Sequence, residues 1–582
     1  MNARCVVAAV LFLAVAVSTG CGPTGAGSPG EEEEVVLVLS PGDAELVVQG
    51  GQSVSQGYTA IAREPDGSET DVTAETAFSV DDQRLGDFSG ALFTAGGGRA
   101  GATTVHGLHE GIAGQTDLVV RVEGARVDPS APADAPDLFD GASEDAARAP
   151  SIVYPADRTT VPPNLGDLET HWTDAAGNDL FEIRLKGAYV DLRAYVAGTA
   201  AGAGLWAAFL PTEWRVAGES ERGGQLTLTV RVLAADSPGT AGTSAPIQLA
   251  LSDEDLDGGL YYWAAAGALP SGIYRHDLAR PGEPAEAYFT TAESPGNRCV
   301  ACHALSRDGT RMAITLDGGD GAATVLDVAT RTPMMPVDGS VRWNFAAFNP
   351  DATRLVTVHQ GRMVLRDAAT GAEIAEVPTG GRATHPDFSP DGTRLAFISA
   401  PGAAADWVFS GGSLMTITYD RATDTFGAAT PLVASAGDNV FYPSWSPDGQ
   451  WLLFNRSSED AYDDPSAEVY VVRADGSAAP QKLDTPNMSG GITNSWARWA
   501  PFVQVLAPGE PEEEPMFWLT FSSKRAFGVR LPGGQPQLWM APFFPARAGT
   551  GDPSAPAFRL PFQDIGTSNH IAQWTEQVID VE

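Results

Sequence analysis

The chain has 582 residues, too many for one hydrophobic core, so several domains are expected. Charged residues make up 19% and hydrophobic residues 43%, which excludes a wholly disordered chain. The net charge is −38, and the 36 basic residues are nearly all arginine; this argues against nucleic acid as a partner and against a purely electrostatic hold on anionic lipid.

The opening stretch MNARCVVAAVLFLAVAVSTGCG has one Arg, an apolar run and then Ser-Thr-Gly-Cys. It is too short and wrongly flanked for a resident transmembrane helix, and residues 1–21 read as a signal peptide. Its end resembles the bacterial lipobox, although Ser18 stands where Leu or Val is usual. That resemblance implies acylation of Cys21 and a lipid anchor in the cell envelope, expected at the outer membrane on its periplasmic or surface face. Plain secretion with cleavage elsewhere is the alternative. Residues 22–34, GPTGAGSPGEEEE, read as a charged tether. No later segment is apolar enough to span a bilayer.

Beyond the tether, short runs rich in Val, Tyr, Trp and Thr lie between Gly, Pro and Asp turns, the pattern of an all-β chain. Residues 35–123 hold about seven such runs and read as a sandwich. The stretches REPDGSETDVTAETAFSVDD and GRAGATTVHG resemble the bacterial Ig-like group-2 domain, which implies a spacer or adhesive module and no catalysis. Residues 124–149 read as a Pro/Ala/Asp linker, and 150–251 as a second sandwich resembling a fibronectin-III module. At 252–259, SDEDLDGG places Asp253, Asp255 and Asp257 like the front of a calcium loop. The twelfth position is Ala264, so the closing bidentate ligand is missing and an acidic turn is favoured over a calcium site.

From residue 300 one pattern recurs: CHALSRDGTRMAIT, NFAAFNPDATRLVTV, THPDFSPDGTRLAFIS, FYPSWSPDGQWLLFNRS, SWARWAPF and, at the end, NHIAQWTEQVIDV. A short strand ends on Leu or an aromatic residue, a Ser-Pro-Asp-Gly turn reverses the chain, and an apolar strand follows. Repeats of this kind make a propeller. The motif resembles the WD-like repeat of TolB-type β-propellers. The last copy lacks outer strands, whereas 260–291 offers three spare ones. The ring at 252–582 is therefore expected to have six blades, closed by pairing the C-terminus with 260–291.

Cys299, Cys302 and His303 spell C-x-x-C-H at the start of the first repeat, and Cys299 and Cys302 are the two cysteines left once Cys5 and Cys21 are set aside. This is the spacing of covalent haem c, with two thioether anchors and His303 as proximal iron ligand. His570, then His385, then Met488 are candidates for the sixth ligand. A structural disulfide is the main alternative; a redox-active disulfide lacks a helix N-terminus to lower its thiol pKa, and zinc lacks a fourth ligand. No G-x-S-x-G, H-E-x-x-H or distinctive carboxylate pair points to an enzyme. Two functions follow: single-haem electron transfer or redox sensing, or a haem-free scaffold binding a protein or glycan in the envelope.

Overall fold

The computed structural model describes residues 34–581 apart from 199, 203, 266–269, 489 and 507–512. The signal segment, Cys21 and all of the tether but Glu34 lie outside the described residues. The fold is all-β: two sandwich modules followed by a six-bladed propeller.

In the first module, strands Ala77–Val80, Gly101–His109, Ile112–Val127 and Ala44–Gln49 form one sheet. Alternate residues Leu118, Val120 and Val122 point into the core with Leu46, Val48, Phe93 and Val105. The long strand does not stop where the linker was expected. It runs to Val127, and Val122–Val127 pair in parallel with Val190–Tyr195 of the second module. The short helix Ala135–Gly141 then lays Phe139 against Tyr195, at 5.7 Å between rings. The segment expected as a linker is thus folded onto the second module, because Gly124–Val127 pair with its strand and Phe139 is buried against Tyr195.

The second module carries a helix that no periodicity announced, Pro211–Ser220, with Trp214, Val216 and Ala217 buried. The module docks on the propeller through buried aromatic and charged groups. Tyr154 and His171 pack on Phe527 at 4.9 and 4.7 Å, Glu169 pairs with both His171 and Arg530, and the Tyr154 hydroxyl accepts from the Arg559 amide at 3.1 Å.

Five blades follow in chain order, with inner strands Val300–Leu305, Phe345–Phe348, Ala383–Phe388, Asn439–Trp445 and Ser495–Trp499. The turns behave as their sequences dictate. In the first blade the Ser306 hydroxyl donates to Asp308 at 2.6 Å, the Thr310 amide donates to the same carboxylate at 3.1 Å, and Gly309 takes φ +73°. The same bonds recur at Ser389–Asp391 and Ser446–Asp448. In the second blade Ala352 occupies the glycine position at φ +57°.

The sixth blade closes the ring as expected. Its inner strand is Ser568–Thr575, and it pairs with Gly259–Ala265, which leads to Gly272–Asp277 and Glu286–Thr290. Beyond it, the Arg275 guanidinium donates to the Ile579 carbonyl at 2.7 Å. Ending the chain after residue 565 should leave Gly259–Ala265 without its inner partner, an unpaired apolar edge. The truncated protein should aggregate or become protease-sensitive; a monomer as resistant as wild type in limited proteolysis would contradict this closure. Gly449→Ala, at φ +68°, should lower stability by about 1–2 kcal/mol in a denaturant titration.

Candidate functional site

Each inner strand but the second bends at the same place. The pairing slips by one residue between Val300 and His303, Thr384 and Asp387, Phe441 and Ser444, Ser495 and Arg498, and opposite Tyr261 and Trp263 in the sixth blade. This is a β-bulge, which re-aims the side chain it carries. At it His385, Tyr442, Trp496 and Ile571 have φ of +50°, +49°, +55° and +60°. Counted from the residue that ends each strand, the equivalent positions are Cys302 in the first blade and Phe345 in the second.

These six side chains converge on the channel axis. Phe345 meets His385 at 4.3 Å, His385 meets Tyr442 at 4.1 Å, and Tyr442 stacks on Trp496 at 3.9 Å. Cys302 and Ile571 line one cavity with Phe345 and Trp496. The Cys302 thiol is pushed up to about 11 by burial, so it is a poor source of thiolate. Burial also holds the Tyr442 hydroxyl well above its usual range, and the neighbouring Cys302 adds to the effect.

His303 follows Cys302 in the strand. It is buried, its ring meets the Tyr261 backbone, and burial lowers its pKa to about 3, which that contact only partly offsets, so the ring is neutral. A haem on Cys299, Cys302 and His303 needs a porphyrin-sized space against that ring. The cavity beside Cys302 and His303 is about 20 Å3, room for about one water. Cys299 is exposed while Cys302 faces the plugged axis. As arranged, the three residues do not fit a haem; strand Val300–Leu305 would first have to leave its ladder.

The candidate sixth ligands scatter. His385 is inside the plug, its Nδ1 accepting from the Tyr442 amide at 3.3 Å. Met488 is 60% exposed. His570 lies at the mouth where the inner strands start, against Trp263 at 4.8 Å, and burial lowers its pKa to about 4. The acidic turn at 252–259 serves as a joint: Asp255 pairs with Arg222, the Gln504 side chain donates to the Asp255 carbonyl, and Leu256 exchanges bonds with Asn164.

That mouth is a hollow of about 310 Å3 among the fourth, fifth and sixth blades. Trp263, Trp496, Tyr462 and His570 give it aromatic walls, and Lys524 pairs with Asp463 at 2.6 Å beside it. Ser495 and Ser522 stand opposite each other in the ladder, 2% and 4% exposed, and neither hydroxyl has a hydrogen-bond partner among the described residues. Of this set only His570 was singled out from the sequence. The others come from four separate segments and share no motif.

Past the plug, on the face of the Ser-Pro-Asp-Gly turns, lie Asp387 and Arg498. The Asp387 carboxylate accepts from the Trp445 amide at 2.7 Å and is pushed up to about 6 by burial, which Arg498 partly offsets.

No family model matches the chain, and no curated protein matches it. Among solved structures it is similar to a putative TolB from Agrobacterium tumefaciens at 12% identity, over 55% of this chain and 99% of that one, with a TM-score of 0.31. It is similar to TolB from Acinetobacter baumannii at 11% identity, over 60% of this chain and 79% of that one, with a TM-score of 0.25. A chain of a nidogen/laminin complex is similar at 10% identity, over 55% of this chain and all of that one, with a TM-score of 0.35. At these values the similarities carry no argument about ligand or activity. The six-bladed ring stands on its own strand pairing.

With the Tyr261 backbone as its one hydrogen-bond contact among the described residues, the buried His303 ring leaves a nitrogen unsatisfied, so His303→Leu should raise stability by roughly 1–2 kcal/mol in denaturant unfolding. A loss of stability would mean that the native ring holds a ligand.

Proposed function

We propose that this is a lipid-anchored cell-envelope protein whose propeller holds a partner at the strand-start mouth without catalysing a reaction on it. The observation that supports this most is the mouth itself: a concave, aromatic-walled hollow set over an axis that six side chains plug. The two sandwich modules then act as a spacer between anchor and ring. The docking of the second module on the fifth blade fits that role, since it sets where the mouth points.

A photo-crosslinking residue at Tyr462, which is 42% exposed beside the hollow, should give a discrete adduct in living cells. The same group at Ile374, 39% exposed on an outer strand, should give none. Equal labelling at both positions, or none at Tyr462, would remove the mouth as the binding surface. The anchor has its own check: Cys21→Ser should move the protein from the membrane to the soluble fraction, and a mutant that stays on the membrane would rule the anchor out.

Covalent haem, with electron transfer or redox sensing, is the second reading. Its favouring observation is the buried, neutral ring of His303 beside two free cysteines. Protein made with cytochrome-c maturation machinery decides it. A c-type pyridine haemochrome that is lost in Cys299→Ala with Cys302→Ala would establish haem. A colourless protein leaves the binding scaffold.

A further inference from the structure

We infer that the strand-start mouth takes a neutral sugar ring, a single glycosyl unit of an envelope glycan. This rests on the binding reading above and names the ligand class for the same site. The hollow, about 310 Å3, is at the small end of ligand sites. Its chemistry is mixed in a particular way. Trp263 is half-buried with its indole N–H already donated to the Val300 carbonyl at 2.8 Å, so what it offers a ligand is apolar ring surface. Tyr462, 42% exposed, adds a second aromatic surface, edge-on at 6.3 Å to Trp496, which the plug already buries. A sugar ring has one apolar face of C–H groups that suits such walls.

The polar groups fit hydroxyls better than charges. Ser495 and Ser522 line the hollow with hydroxyls that can donate or accept, and both are buried with no hydrogen-bond partner among the described residues. Lys524 donates and Asp463 accepts, side by side, which suits a hydroxyl that must do both. An anion would gain Lys524 but face Asp463 and a chain of net charge −38. A cation would gain Asp463 but face Lys524. A wholly apolar occupant would leave both serine hydroxyls unpaired. His570 is neutral at physiological pH and does not tip this balance.

Saturation-transfer NMR on the full chain, with methyl glycosides of glucose, galactose, mannose and N-acetylglucosamine, tests the inference; inorganic phosphate and tetramethylammonium are the charged controls, read by competition. At least one glycoside should bind. Lys524→Ala and Ser522→Val should each weaken it about tenfold with the circular dichroism spectrum unchanged. Both are mild substitutions, so they keep the test open even if Trp263→Ala fails to fold. No binding by any glycoside, displacement by phosphate or tetramethylammonium in preference to glycosides, or the same affinity in both variants would overturn the sugar. If the Tyr462 adduct persists in that case, the mouth still binds a partner and the ligand class alone is wrong.

Discussion

The bulge repeated in the inner strands is the constraint on which the rest of the propeller's function depends. A regular strand would alternate its side chains between the two faces of the blade. The extra residue in each pair turns one side chain toward the axis instead, and four of these residues sit at positive φ. A left-handed non-glycine residue costs about 1–2 kcal/mol, so the conformation must be held by its surroundings. The stacking of Tyr442 on Trp496, and the packing of His385 between the edge-on Phe345 and the tilted Tyr442, supply that hold. The same packing closes the channel, which is why the hollow at the mouth is shallow and why Cys302 has so little space beside it.

Closure of the ring couples the two ends of the propeller segment. Gly259–Ala265 lies between the end of the second module and the first blade, yet its inner partner is Ser568–Thr575. Trp263 therefore reaches the mouth only once the C-terminal strand is in place, and His570 reaches it from that same strand. The hollow exists only in the closed ring, so its integrity reports on the folding of the whole domain.

The architecture was largely legible in the residues. Asp308-Gly309, Asp391-Gly392 and Asp448-Gly449 mark turns because their carboxylates and positive-φ glycines have one local use, and local chemistry is what a sequence shows. The alignment also placed Cys302 with His385. It could not show where those side chains point, because a bulge breaks the period of two on which such reasoning relies. A haem on Cys299, Cys302 and His303 would need space at the axis, and Phe345, Tyr442 and Trp496 fill it here. Ser495 and Ser522 looked like ordinary strand residues, and only the ladder shows that they face each other.

The distribution of basic residues bears on the mouth as well. Of the 36, only Lys186, Lys482 and Lys524 are lysines. The arginines work as flat groups: Arg394 lies over Trp445 at 4.4 Å, Arg473 over Trp451 at 4.3 Å and the buried Arg525 over Trp539 at 4.9 Å. A guanidinium stacks well and keeps a rigid fork of donors. An ammonium is compact and can swing its three donors around one acceptor. At the edge of a small hollow whose walls are already aromatic, another flat cation would compete with a ligand for the ring surfaces. Lys524 leaves those surfaces clear while Asp463 holds its charge in balance, which is the arrangement a neutral, hydroxyl-bearing ligand needs.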